Sequence, residues 1–150
     1  MTHAYPPIVD LVPHRPPCLM LESIESWAET GLVCRARCRH DSPFRLGSQV
    51  PAYVALEIAA QAAAADQALR LRARNRTPAE ALQGFLVNAW EVVLPPGALP
   101  NDVDLNVRVT LDATAGPLAS YGFEVSGGPT FAVSGRLSAM AAAPDRVFPS

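Results

Sequence analysis

V-P-A-Y-V-A-L-E-I-A-A-Q-A-A-A-A-D-Q-A-L-R-L-R-A-R, from Val50 to Arg74, decides the fold. After Pro51 it holds neither glycine nor proline until Pro78, and its residues are strong helix formers. Pro51 suits a first helical position, where its missing N–H costs nothing, and Ser48 is the better of two capping candidates beside Gln49. Val54, Ile58, Ala62, Ala65 and Leu69 share one helical face. Nine alanines between positions 52 and 68 make the helix a thin rod that other backbone can approach closely. Glu57 and Gln61 lie four apart on one face. A carboxylate among alanine, leucine and isoleucine is costly unless it is paired or useful.

Outward from this helix, the chain divides into strands. Leu19 to Trp27 reads as a strand ending near a turn at Glu29–Gly31. Leu32 to His40 alternates, with Leu32, Cys34, Ala36 and Cys38 on one face and Val33, Arg35, Arg37 and Arg39 on the other. The arginine row is read as a solvated face rather than a docking patch. After the helix, Arg70, Arg72, Arg74 and Arg76 complement the negative end of its dipole, and Asn75–Glu80 is an exit loop. Strands are expected at Leu82–Leu94, Val103–Leu111, Ser120–Val125 and Thr130–Ala139. Residues 1–18, with five prolines, read as an entry loop with a short helical turn at Ile8–Val12. One domain over 1–140 with a loose tail at 141–150 is expected. Several strands following a lone apolar helix favour an α+β fold, with a curved antiparallel sheet wrapped around that helix.

Composition narrows the function. The 150 residues are 49% hydrophobic and 17% charged with a net charge of −2, so nothing draws the chain to nucleic acid or an anionic membrane. All twelve basic residues are arginine. Glu57, Gln61 and Asp66 argue against a membrane span in the helix, and no signal peptide pattern opens the chain, so a cytoplasmic location is expected. Cys18, Cys34 and Cys38 form neither a disulfide framework nor a metal motif, and they are read as reduced core residues.

Two segments resemble a known family. Leu11-Val12-Pro13-His14-Arg15-Pro16-Pro17-Cys18-Leu19-Met20-Leu21 resembles the entry motif of the hotdog-fold 3-hydroxyacyl-acyl-carrier-protein dehydratases, and Pro51 to Gln61 resembles their P-G-x-x-x-x-E-x-x-A-Q helix. Ser42-Pro43-Phe44 is similar to their loop start, and the whole is most similar to the dehydratase-like branch of aryl polyene pigment clusters. The resemblance implies a hotdog fold, a dimer with its long helices side by side, and 3-hydroxyacyl substrates carried on the phosphopantetheine of an acyl carrier protein. It implies no other cofactor and no metal. The departure lies between Pro43 and Pro51, where the family carries its catalytic histidine and this chain has none. His14 matches an entry histidine that is not the family's base and is read as structural; His40 is read as ending a strand, and His3 lies in the N-terminal segment.

Dehydration removes an α-proton and protonates a leaving hydroxyl. A histidine suits the first task, and a carboxylic acid with a raised pKa suits the second. On the resemblance, Glu57 is the catalytic candidate. Gln61 and the backbone N–H groups of Ala52 and Tyr53 at the helix start are the substrate-binding candidates. The side chains of Tyr53 and Trp90 are read as packing. The favoured reading is a subunit contributing Glu57 to a site completed by a His-bearing hotdog partner, whether as a homodimer or a heterodimer. A hotdog thioesterase, with the carboxylate activating water, and a non-catalytic acyl-binding or scaffolding subunit are the alternatives.

Overall fold

The computed structural model describes residues 4–74 and 83–142. His3, Arg76, the expected exit loop and the tail from 143 lie outside them. In chain order the elements are a 3-10 turn Ile8–Asp10, β1 (Leu21–Ala28), β2 (Gly31–Ala36), β3 (Val50–Pro51), a 3-10 turn Ala52–Val54 and α1 (Ala55–Ala73). Then come β4 (Gln83–Val93), β5 (Ala98–Leu99), β6 (Leu105–Ala115), β7 (Leu118–Gly127) and β8 (Phe131–Ala142). Six strands form one antiparallel sheet in the order β1-β2-β6-β7-β8-β4, and β3 pairs with β5 in a two-stranded ladder. α1 packs against all six strands of the large sheet. This is the hotdog architecture.

The alternation read from the sequence faces the core as expected. Leu32, Cys34, Ala36 and Cys38 are buried, as are Leu105, Val107 and Val109 on the neighbouring strand. All five apolar face residues of the helix, Val54, Ile58, Ala62, Ala65 and Leu69, are buried, and so are Ala55, Ala59, Ala63, Ala64 and Ala68 on the remaining sides. Alanine adds little apolar area per residue. Its value here is thinness, since a curved sheet can close on a rod without bulky side chains holding it off. Backbone also approaches closely at Gly31, in the β1–β2 turn. A Cβ there would sit 2.0 Å from the Val109 carbonyl oxygen, so no other residue fits without moving β6.

Several expectations are corrected. α1 begins at Ala55 rather than at Pro51, and no side chain caps either it or the preceding 3-10 turn, so Ser48 is not the cap. Val50 and Pro51 instead pair with Leu99 and Ala98. The second strand ends at Ala36, although the burial pattern continues to Cys38. β8 runs to Ala142, two residues into the expected tail. Cys18 is exposed rather than in the core; all three cysteines are free, and burial pushes the Cys34 thiol up to about 12. The arginine row is a chain of surface pairs: Arg35 with Glu25, Arg37 with Asp104 and Arg39 with Asp41. No helix among the described residues is long and apolar enough to cross a membrane.

Candidate functional site

The first two turns of α1 carry Glu57 and Gln61. Gln61 is fully buried, so its polar atoms must be satisfied inside the protein. Its Oε1 accepts the Met20 N–H at 3.0 Å, and its Nε2 donates to the Cys18 carbonyl at 2.9 Å and to Glu57 Oε1 at 3.2 Å. The entry segment is thereby pinned across the helix. Gln61 spends its hydrogen-bonding capacity on Cys18, Met20 and Glu57. This gives it the place of a brace and leaves no exposed surface for a substrate.

The pinned segment brings His14 to Glu57, with Nε2 3.3 Å from Oε1. His14 Nδ1 is buried and has no partner among the described residues. The side chains of His14 and Glu57 are 22% and 35% exposed, so the pair is reachable from solvent. Both neighbours lie against Oε1, and among the described residues no donor reaches Oε2. Burial pushes the Glu57 carboxyl up, but the hydrogen bonds from His14 and Gln61 and the electrostatic pull of His14 outweigh it and hold the group below the ordinary carboxylate range. The resting group is therefore a carboxylate, not the raised-pKa acid expected on chemical grounds.

Ala52 and Tyr53 sit in the 3-10 turn just before α1. Ala52 is buried; the Tyr53 ring is 52% exposed and does not pack into the core as expected. Trp90 is half-buried. His40 pairs with Asp102 at 2.8 Å on the surface, where both side chains are well exposed. Clefts of about 480, 440 and 400 Å³ are lined by residues that include neither His14 nor Glu57. Among the described residues, no group of three or more histidine, cysteine, aspartate or glutamate side chains is placed to hold a metal.

A second polar centre lies two turns further along α1. The Asp66 side chain is fully buried and accepts from Trp27 Nε1 at 2.9 Å, from Arg70 Nε at 2.7 Å and from the Tyr121 hydroxyl at 2.7 Å. Burial and the neighbouring Asp66 charge push the Tyr121 phenol well above its usual range, so it keeps its proton and donates. Arg70 also donates to the Glu29 carbonyl at 2.6 Å, tying the β1–β2 turn to the helix. Its role thus goes beyond complementing the helix dipole. Sequence reasoning missed both this centre and the approach of His14. The one available signal was a charged residue, Asp66, in an otherwise alanine-filled turn.

A solved structure of the dehydratase heterocomplex ApeI:P from Xenorhabdus doucetiae superposes on this chain with a TM-score of 0.83 at 24% identity, covering 96% of each chain. A hypothetical thioesterase with coenzyme A from Streptococcus pneumoniae TIGR4 matches with a TM-score of 0.55 at 9% identity, over 81% of this chain and 85% of its own. The E. coli PaaI protein of the phenylacetic acid degradation operon matches at 0.54 and 12% identity, over 81% and 79%. These likenesses establish the fold. No curated protein matches the sequence significantly. The model of the ApeP-like family, described as ApeP dehydratase, matches residues 6–148, and the chain belongs to that family of dehydratases.

Proposed function

We propose that the chain is a hotdog subunit that dehydrates 3-hydroxyacyl thioesters carried by an acyl carrier protein, with Glu57 as its reacting side chain and a second hotdog subunit completing the site. The observation that carries this reading is the Glu57 carboxylate, braced by Gln61 and His14 and still partly open to solvent. Family membership supplies the reaction class. The similar dehydratase from Xenorhabdus doucetiae is a heterocomplex, which supports a mixed assembly here. The motif resemblance points to fatty-acid or aryl-polyene-type synthesis. The uncapped 3-10 turn Ala52–Val54 that leads into α1 suits the thioester carbonyl.

Two features favour a partner. The clefts of about 480, 440 and 400 Å³ do not reach Glu57, and a partner subunit could supply the wall that an acyl chain at Glu57 needs. The sheet ends on β4, where Val87 and Val93 are exposed, with Leu94 just beyond. An apolar edge strand seeks a covering chain. The test is conversion of a carrier-bound 3-hydroxyacyl chain to the enoyl product, followed by mass spectrometry, with and without a candidate His-bearing hotdog partner. Turnover in the mixture supports the reading. Free acid and carrier thiol in place of enoyl product would move the chain to the thioesterase class, which the ionised Glu57 also suits because a carboxylate can activate water. Neither product would leave an acyl-binding or scaffolding subunit.

A further inference from the structure

Within that dehydratase reading, on which this inference rests, we propose that Glu57 is the base of the reaction and acts through Oε2, and that His14 is the positioning residue that clamps Oε1. The usual division of labour, with an imported histidine as base and the glutamate as acid, is then not needed for this chain's own site.

The geometry separates the two oxygens. Oε1 accepts the Gln61 Nε2 hydrogen bond at 3.2 Å and has His14 Nε2 at 3.3 Å beside it, while Oε2 takes no donor among the described residues. A carboxylate clamped on one oxygen has a fixed orientation, and its free oxygen keeps its lone pairs for an incoming proton. His14 has one ring nitrogen on Glu57 and the other buried without a partner among the described residues. With Nδ1 buried and Nε2 against Oε1, the ring faces Glu57 and orients its carboxylate. The depressed Glu57 pKa agrees, since a group ionised at rest begins the cycle as a base.

The step balances on one side chain. Oε2 takes the proton from Cα, the C–H electron pair becomes the Cα=Cβ bond, and the Cβ–O bond breaks. The protonated Glu57 then returns the same proton to the departing oxygen, which leaves as water, and the carboxylate is restored. The α-hydrogen and the hydroxyl must lie on the same face of the substrate for one carboxyl to serve both.

The experiment uses the chain mixed with a candidate hotdog partner whose own histidine has been changed to alanine. Dehydration is measured beside a second readout, uptake of deuterium from D2O at Cα of a saturated acyl thioester that has no hydroxyl to lose. Glu57→Gln should abolish both. His14→Ala should move the acid limb of the dehydration pH profile to higher pH, because burial is then less opposed, and His14→Gln, which keeps an N–H donor, should return the limb toward the parent. Glu57→Gln that loses dehydration but keeps exchange would make Glu57 the acid and overturn the inference while sparing the dehydratase reading. A pH profile unmoved by His14→Ala would overturn the role of His14. A parent mixture that does not dehydrate with this partner but does with the partner's histidine restored would overturn the inference and spare the dehydratase reading; no dehydration with either partner would end both. Should His14→Ala fail to fold, the exchange result with Glu57→Gln still decides which group is the base.

Discussion

Two carboxylates on one helix meet opposite fates. Asp66 is fully buried and accepts three hydrogen bonds of 2.7–2.9 Å, spread over both oxygens. Glu57 is about a third exposed; Gln61 donates to its Oε1 at 3.2 Å, and His14 Nε2 lies 3.3 Å from the same oxygen. A buried charge is tolerated only when its lone pairs are fully matched, and a fully matched group has nothing left for chemistry. Asp66 therefore fastens β1 and β7 to the helix, whereas Glu57, among the described residues, keeps one oxygen without a donor. The same side-chain chemistry thus serves architecture at one end and is available for reaction at the other.

The largest expected effect tests the architectural end. Asp66→Asn turns an acceptor toward three donors into a group that brings its own N–H hydrogens, and it strands the Arg70 charge. Breaking a buried pair in this way costs about 3–5 kcal/mol, read from urea unfolding. If Asp66→Asn unfolds at the same urea midpoint as the parent, the fastening role is lost. Glu57→Gln should move that midpoint far less.

Between the two carboxylates the helix must stay thin. Ala62→Leu or Ala65→Leu inserts bulk where the sheet closes on the rod, and overpacking of this kind costs about 1–3 kcal/mol. A thermal melt that matches the parent would contradict the closeness of helix and sheet.

A smaller effect is expected in the pH dependence of stability. The folded Glu57 pKa lies below its ordinary value of 4.5. The folded state therefore holds the proton less tightly than the unfolded state. The resulting stabilisation is fully present above the unfolded value and is lost as pH falls through the folded value. Partial exposure keeps it small. Acid titration of the parent should show this loss and Glu57→Gln should lack its share; superimposed curves would mean that the clamp on Oε1 is weak.

The two ends also differ in how much of them the sequence carried. The helix, its buried face and the alternating strands are local periodicities, and they were legible without tertiary information. Glu57 and Gln61 were visible because they sit in one short motif. Asp66 showed only as a charge, since Trp27 and Tyr121 reach it from 39 and 55 residues away in the chain. The approach of His14 depends on Gln61 pinning Cys18 and Met20, which no local spacing announces. The helix start failed for the same reason. Pro51 and a nearby serine imitate a cap, but the long-range ladder of Val50–Pro51 with Ala98–Leu99 holds those residues extended.

Glu57 as the reacting carboxylate, with Asp66 as the structural one, is the central claim. Its most direct test is the rate of enoyl formation from a carrier-bound 3-hydroxyacyl thioester by the partnered chain, parent against Glu57→Gln, with a thermal melt run on each. The predicted result is a fall of about 10²–10⁴ in rate with the melting midpoint nearly unchanged. Equal rates would contradict the claim and reduce Glu57 to a brace for the entry segment.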